Sequence, residues 1–476
     1  VYIGHKTGAT NASGDNMVAI GHQAMLNTGD YVNDNNIAIG TSAMGGSWGA
    51  ASVKNIAIGT NTLAGALNNA NNNIAIGNEA GNDITSGDYN ILIGSHSGEK
   101  ILDGGGNIVL GASALDRTES GVDNICIGNS TLGSATDDLD GAGGGHDPDG
   151  NIAIGTGALF SLDSDDAEQR NVAVGKQAGY WLSKGIQNTF VGSAAGYGLD
   201  GTPLLGDNNT LLGFNAGKII QGAATNNTIV GSLAGDGLTT GSANTVIGKG
   251  ALGHASSGDA DYCVTVGYNS GESIQNGDNN TLVGAYAGDT ITSGTHNILM
   301  GFHAEASGAT TTYEIVIGSG VDISNAFAGA GTETTRMGRA SDFITNDFGE
   351  NATWTHSSDI RIKKDIEDNE LGLAFINDLR TVTFKKKAPS EYPEEFEQYD
   401  ANLTERKKPD KELYGFIAQE VKAAMDKAGH SEFPVWKENR DGMQELGEVE
   451  FITPLIKAVQ ELSQQVKDLQ TKIGDA

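Results

Sequence analysis

The tract Trp354-Thr355-His356-Ser357-Ser358-Asp359-Ile360-Arg361-Ile362-Lys363-Lys364-Asp365-Ile366 gathers side chains able to do chemistry: two adjacent serines, an imidazole and three cations. Read alone, a serine five residues before a lysine is a solvated, charged strand. Other reactive groups are scattered. The acidic stretch from Asp137-Asp138-Leu139-Asp140 to Asp147-Pro148-Asp149 has oxygens that calcium could use, but it reads as a solvated insertion. No metal-ligand set with regular spacing emerges, and no cofactor is expected. Cys126 and Cys263 sit within repeated strand units rather than in a spaced framework, so they read as buried thiols.

The elements that must position these groups fall into two compositions. Of 69 glycines, 63 precede residue 351, whereas five of seven prolines follow it. Lysine and arginine number 11 before that point and 18 after it, and net charge divides as −24 and −7 of the total −31. Such a balance argues against nucleic acid, whose binding needs clustered cations to displace counterions. No apolar run approaches the roughly 20 residues that span a bilayer, so membrane insertion is not expected. The opening Val1-Tyr2-Ile3-Gly4 looks like the middle of a repeat, and residues upstream of it are expected.

The first part is periodic. A five-residue unit closed by glycine recurs eighteen times between Gly4 and Gly318, mostly 17 to 21 residues apart with one step of 27. Asn36-Ile37-Ala38-Ile39-Gly40 and Asn188-Thr189-Phe190-Val191-Gly192 are typical copies. Three alternating residues make a short strand. Glycine closes it where positive φ or a close approach is needed, and stacked asparagines could form a ladder. One unit cannot bury its own face, but stacked units can. With one rung per repeat, eighteen rungs spaced at about 4.8 Å would extend about 85 Å. The middle strand residue is Ala38, Ala57 or Ala75 in early copies and Phe190, Leu211 or Ile229 in later ones. If Ile37 and Ile39 face the coil interior, the larger middle residues face outward and need cover. The same row on sister chains around a three-fold axis would supply it; a single-chain solenoid with two buried faces is the alternative. These repeats, over residues 1–318, resemble the head repeats of trimeric bacterial adhesins and the shafts of phage tail fibres.

After a transition at 319–350, the tail shows helical spacing over Leu371–Arg380, a strand at Thr381-Val382-Thr383-Phe384, and Tyr414-Gly415-Phe416-Ile417-Ala418-Gln419-Glu420-Val421 as a strand entering a helix. Leu455, Val459, Leu462, Val466, Leu469 and Ile473 then step by heptad spacing over about 452–473. In that order, residues 351–476 resemble the C-terminal intramolecular chaperone of phage endosialidases, tail fibres and the myelin regulatory factor.

The resemblance implies that Ser358 is a nucleophile and Lys363 its general base, with Asp359 and Arg361 in the intervening positions. It also implies that the domain trimerises, folds the upstream β-structure and then cuts the chain beside the serine. In a Ser–Lys dyad an uncharged amine takes the hydroxyl proton, which requires desolvation or neighbouring cations. Arg361 and Lys364 are the cations at hand, and on an extended strand residues 361 and 363 share a face. An N→O acyl shift through a five-membered ring would cut Ser357–Ser358, whereas phage relatives are cut after the serine, which here is Ser358–Asp359. Both bonds stay open. Tyr414 stands where some members carry histidine.

The expected molecule is thus mainly β: a Gly/Asn-rich β-solenoid shaft at 1–318, then an α+β chaperone domain with a C-terminal coiled-coil helix. The expected function is a homotrimeric phage-type tail fibre in the virion, assembled in the host cytoplasm with other tail proteins and meeting a host-surface receptor or glycan. Catalysis would be a single-turnover self-cleavage, with no external substrate. A bacterial trimeric surface adhesin is one alternative. It should end in alternating membrane strands, whereas a helix runs here to Gly474-Asp475-Ala476. A glycan-degrading tailspike is the other. Paired carboxylates could lie anywhere among 60 acids, but aromatics make up only 6%, few for a sugar groove, and Trp48 and Trp181 are far apart in sequence.

Overall fold

The computed structural model describes all residues except 11–12, 134–147, 163–168, 254–257, 340–341, 349–350, 356–357, 397–398, 406–411, 440 and 475–476, and omits the side chains of 342 and 351–355. The chain divides into two compact units, Val1–Ser357 and Ser358–Ala476. Most of the acidic stretch considered for calcium lies outside the described residues, as does Ser357.

The first unit is a β-solenoid of about 17 turns. Each repeat between the first and the last contributes one three-residue strand, paired in parallel with the next in strict register, as in Ile37↔Ile56, Ala38↔Ala57 and Ile39↔Ile58. One rung per repeat therefore holds. The closing glycines are required twice over. Gly231 has φ +142°, and a Cβ there would sit 2.5 Å from the carbonyl oxygen of Gly248 in the next coil. Only a residue without a side chain permits that approach.

Beneath the strands runs a buried asparagine ladder. Asn227 Nδ2 donates to Asn209 Oδ1 at 3.0 Å and to the Gly241 carbonyl at 2.9 Å. Its Oδ1 accepts from the Asn244 backbone and side-chain amides, both at 3.0 Å. The pattern repeats at Asn73, Asn90, Asn107 and Asn124. Each asparagine rung thereby satisfies polar backbone groups that the interior would otherwise strand. Cys263 takes one place in the ladder, donating its backbone amide to Asn244 Oδ1 at 2.9 Å and turning Sγ to the Gly277 carbonyl at 3.1 Å. Burial pushes its thiol up to about 11 and raises that of Cys126 as well. Both are free and buried.

The orientation of the strands corrects one expectation. The middle residues Ala38, Phe190, Leu211 and Ile229 are fully buried, while the flanking residues are half-buried or exposed, as Ile58 and Leu212 show. The interior, not an outer cover, sets the size of the middle residue. It packs against the residue four places after the closing glycine, and the two columns share one volume. Ala38 and Ala57 are followed in the second column by Met44 and Leu63, whereas Ala75 and Ala173 are followed by Gly81 and Gly179, beside the larger Leu92 and Phe190 of the next coil. Around Phe190 that column holds Gly179 and Gly196, where a Cβ would come 2.7 and 2.5 Å from the phenyl ring. The outward apolar rows consist of isoleucine, valine, leucine and threonine on either side of each buried middle residue.

The sheet continues past the repeats. Thr334–Arg339 pairs in parallel with Ile315–Ser319, then antiparallel strands Asp342–Asp347 and Asn351–Thr355 follow. Arg336 lies over the Phe343 ring at 3.6 Å and closes this end of the core beside Phe327.

In the second unit three helices surround small sheets: α1 (Leu373–Asp378), α2 (Ala418–Lys427) and α3 (Ile452–Gly474). Val382–Phe384 pairs antiparallel with Leu413–Gly415. Leu371, Phe375, Val421, Met425, Val435 and Phe451 form the core. The helix–strand–strand–helix order read from the tail is present, with the long helix last.

Candidate self-processing site

Ser358 and Lys363 are brought together. Lys363 Nζ donates to Ser358 Oγ at 2.9 Å across a short 3-10 turn, Ile360–Ile362. The turn, rather than an extended strand, closes the five-residue gap, and its cause is local. Asp359 sits at the N-cap and accepts from the Arg361 backbone amide at 2.8 Å, satisfying a donor that the turn leaves open. The same carboxylate takes the Arg361 guanidinium at 2.6 to 3.1 Å. That side-chain bond holds the Asp359 carboxyl below its ordinary range and raises Arg361.

Two expectations change accordingly. Residues 361 and 363 do not share the face of an extended strand, and Arg361 is committed to Asp359. Lys364 faces Asp365, 3.8 Å away. The two cations proposed to crowd Lys363 are thus each matched with a carboxylate. What the chain does provide is a hydrogen-bonded hydroxyl and amine on a capped turn. For nucleophilic attack the amine must accept the hydroxyl proton across this contact instead of donating to it. The Ser358–Asp359 bond lies among the described residues, while the Ser357–Ser358 bond lies at their edge.

The surroundings are open to solvent. Ser358, Asp359, Arg361 and Lys363 are exposed, and Ile360, Ile362 and Ile366 are 72%, 67% and 63% exposed. Three isoleucines beside a dyad are the material for a dry site, which a single chain does not close.

Behind this turn, α1 is tied to α3 through a bond the sequence did not disclose. Glu461 accepts from the Leu373 backbone amide at 2.8 Å, serving an orphan donor of the first turn of α1. Arg380 pairs with Glu420 on α2, and Lys427 with Asp378 on α1. Tyr414, in the motif where histidine was the alternative, is 76% exposed. Leu455, Val459, Leu462, Val466, Leu469 and Ile473 are all 45% to 75% exposed along α3. The heptad seam is present and unpartnered within one chain. No helix among the described residues is long and apolar enough to cross a membrane.

Comparison with known proteins returned no match among curated proteins and none among solved structures. Residues 358–430, however, match the family described as chaperone of endosialidase. The matched segment begins at Ser358, holds the Lys363–Ser358 contact and takes in α1, the strand pair and α2. This chain therefore joins a segment similar to the chaperone of endosialidase to a β-solenoid of about 17 turns.

Proposed function

We propose that this chain is the subunit of a homotrimeric phage-type tail fibre whose C-terminal unit drives folding and trimerisation and then cuts the chain beside Ser358. The observation that carries the reading is the chaperone match at 358–430, followed after a strand pair by an amphipathic helix whose entire heptad seam is exposed. A row of leucine, valine and isoleucine at heptad spacing is stabilised by sister helices. The solenoid supports the same assembly. Its outward strand residues form apolar rows, and sister shafts around a three-fold axis would cover them.

Trimer formation also accounts for the state of the dyad. In one chain Lys363 is solvated; packing of sister chains over Ile360, Ile362 and Ile366 would dry the amine and favour its neutral form. At Ser357–Ser358, the Ser358 hydroxyl oxygen attacks the residue 357 carbonyl, and Lys363 takes the hydroxyl proton and passes it to the departing Ser358 amine. Water hydrolyses the resulting ester to a residue 357 carboxylate and a free hydroxyl; a cut at Ser358–Asp359 would release the Asp359 amine instead. Cleavage would thus follow assembly. The shaft serves host attachment in the virion, with three copies presenting any receptor- or glycan-binding surface together and so binding avidly. Assembly takes place in the host cytoplasm with other tail proteins.

Deleting 351–476 tests the chaperone role. The truncated shaft should be insoluble or monomeric by sedimentation; a soluble trimer from it would end this reading.

A further inference from the structure

The seventeenth of the eighteen repeats breaks the rule of the interior column. The residue four places after the closing glycine is glycine, methionine or leucine in every earlier coil, from Gly8 and Met25 through Leu252, Gly271 and Gly288. In the coil closed by Gly301 it is Glu305. This carboxylate is 3% exposed in a column otherwise apolar. A buried charge needs a partner, yet among the described residues no lysine or arginine pairs with it.

Two further ligand-type groups converge on it. Asp289 from the preceding coil has its Oδ1 buried without a hydrogen-bond partner. His303, 7% exposed, approaches that oxygen with Nε2 at 3.8 Å. Its other nitrogen, Nδ1, lies 3.0 Å from the Asp322 carbonyl. A carbonyl can only accept, so Nδ1 carries a proton, and Nε2, the nitrogen that offers a lone pair in the neutral ring, faces the carboxylates. A histidine oriented through its second nitrogen by a backbone carbonyl is the arrangement a metal ligand requires. Glu305 is itself fixed, accepting from the Asp289 amide at 2.9 Å and from the Thr290 amide at 3.3 Å. Ligand atoms of the three residues lie within 4.8 Å of one another. Tetrahedral coordination at about 2.1 Å per bond would bring them to about 3.4 Å, a small inward movement.

We propose that Asp289, His303 and Glu305 form a divalent transition-metal site that staples the last coils of the shaft. One imidazole nitrogen and two carboxylate oxygens suit zinc or a similar borderline ion better than calcium, which prefers an all-oxygen shell. The ion would neutralise two clustered acids and hold residues 289, 303 and 305 to the segment carrying Asp322. A solenoid is weakest where stacking ends, so this is where a clamp contributes most. A second grouping, Glu79, His96 and Glu99, differs in kind: it is half-exposed, and His96 Nδ1 is already bonded to Glu99 at 2.6 Å.

The test uses the full chain, stripped with chelator, dialysed and titrated with zinc by calorimetry, with cobalt absorbance as a second readout. Wild type and His96→Gln should each bind one tight zinc per chain, show the visible cobalt bands of a low-coordinate site and melt higher with zinc. His303→Gln and Asp289→Asn should lose all three responses. Asp289→Asn keeps the amide bonds to Glu305, so it folds and decides the matter if His303→Gln does not. Equal zinc uptake by wild type and Asp289→Asn, no tight zinc in wild type, or loss in His96→Gln alone would overturn the proposal.

Discussion

Replacing Asn227 by alanine removes one rung of the buried ladder and leaves its neighbours in place. The amide makes four bonds: it donates to Asn209 Oδ1 and the Gly241 carbonyl, and it accepts from the backbone and side chain of Asn244. Asn209 Oδ1 keeps a partner in the Asn227 backbone amide at 3.1 Å. The Gly241 carbonyl and the Asn244 amide do not, since these side-chain bonds are the ones they make. Each stranded buried group costs about 1–3 kcal/mol, so the variant should lose about 2–6 kcal/mol. Solenoid stability is a sum over neighbouring coils, so the loss should appear locally, as faster native-state hydrogen exchange of the Thr245–Ile247 strand and its neighbours. Asn227→Cys should cost less, because Cys263 already fills such a place with its thiol against the Gly277 carbonyl. Unchanged exchange in the alanine variant, or a cysteine variant as damaged as alanine, would refute the ladder as a source of stability.

Other consequences follow from the same geometry. Lys363→Ala removes the amine bonded to Ser358 and should slow cleavage about 10²–10⁴-fold, the usual worth of a general base, while leaving trimers intact in sedimentation. A variant cut at the wild-type rate would remove Lys363 from the mechanism. Burial raises both thiols, Cys263 to about 11, so both stay protonated at pH 8. A thiol reagent should label neither in the native protein and two per chain in denaturant; rapid native labelling would contradict their burial.

Much of the shaft was legible because its signal is repetition. A unit ending in glycine, mostly every 17 to 21 residues, marked each coil, and the asparagine before most strands marked the ladder. Which side of a three-residue strand faces inward was not legible. Ile37-Ala38-Ile39 invites the larger residues inside, but the interior is filled by two columns together. The partner of Ala57 in that volume is Leu63, and the partner of Phe190 is a glycine. Only the coil geometry places those positions opposite each other. The apolar outer face expected from the pattern exists, carried by the first and third strand residues instead of the middle one.

The tail was legible element by element, since α1, the strand pair, α2 and the heptad helix lie where their patterns put them. Local hydrogen bonding at the dyad was not. Asp359 caps the turn and captures Arg361, which converts an expected strand into a 3-10 turn and still brings Ser358 to Lys363. The Glu305 carboxylate could be recognised as an intruder only once the glycine-plus-four column was known to be interior.

The most direct test of the account is the intact mass, under denaturing conditions, of freshly expressed wild-type chain beside Ser358→Ala. Self-processing predicts two wild-type fragments divided at Ser357–Ser358 or Ser358–Asp359 and one uncut mass for the variant. Uncut wild type, or fragments that persist in the variant, would contradict it.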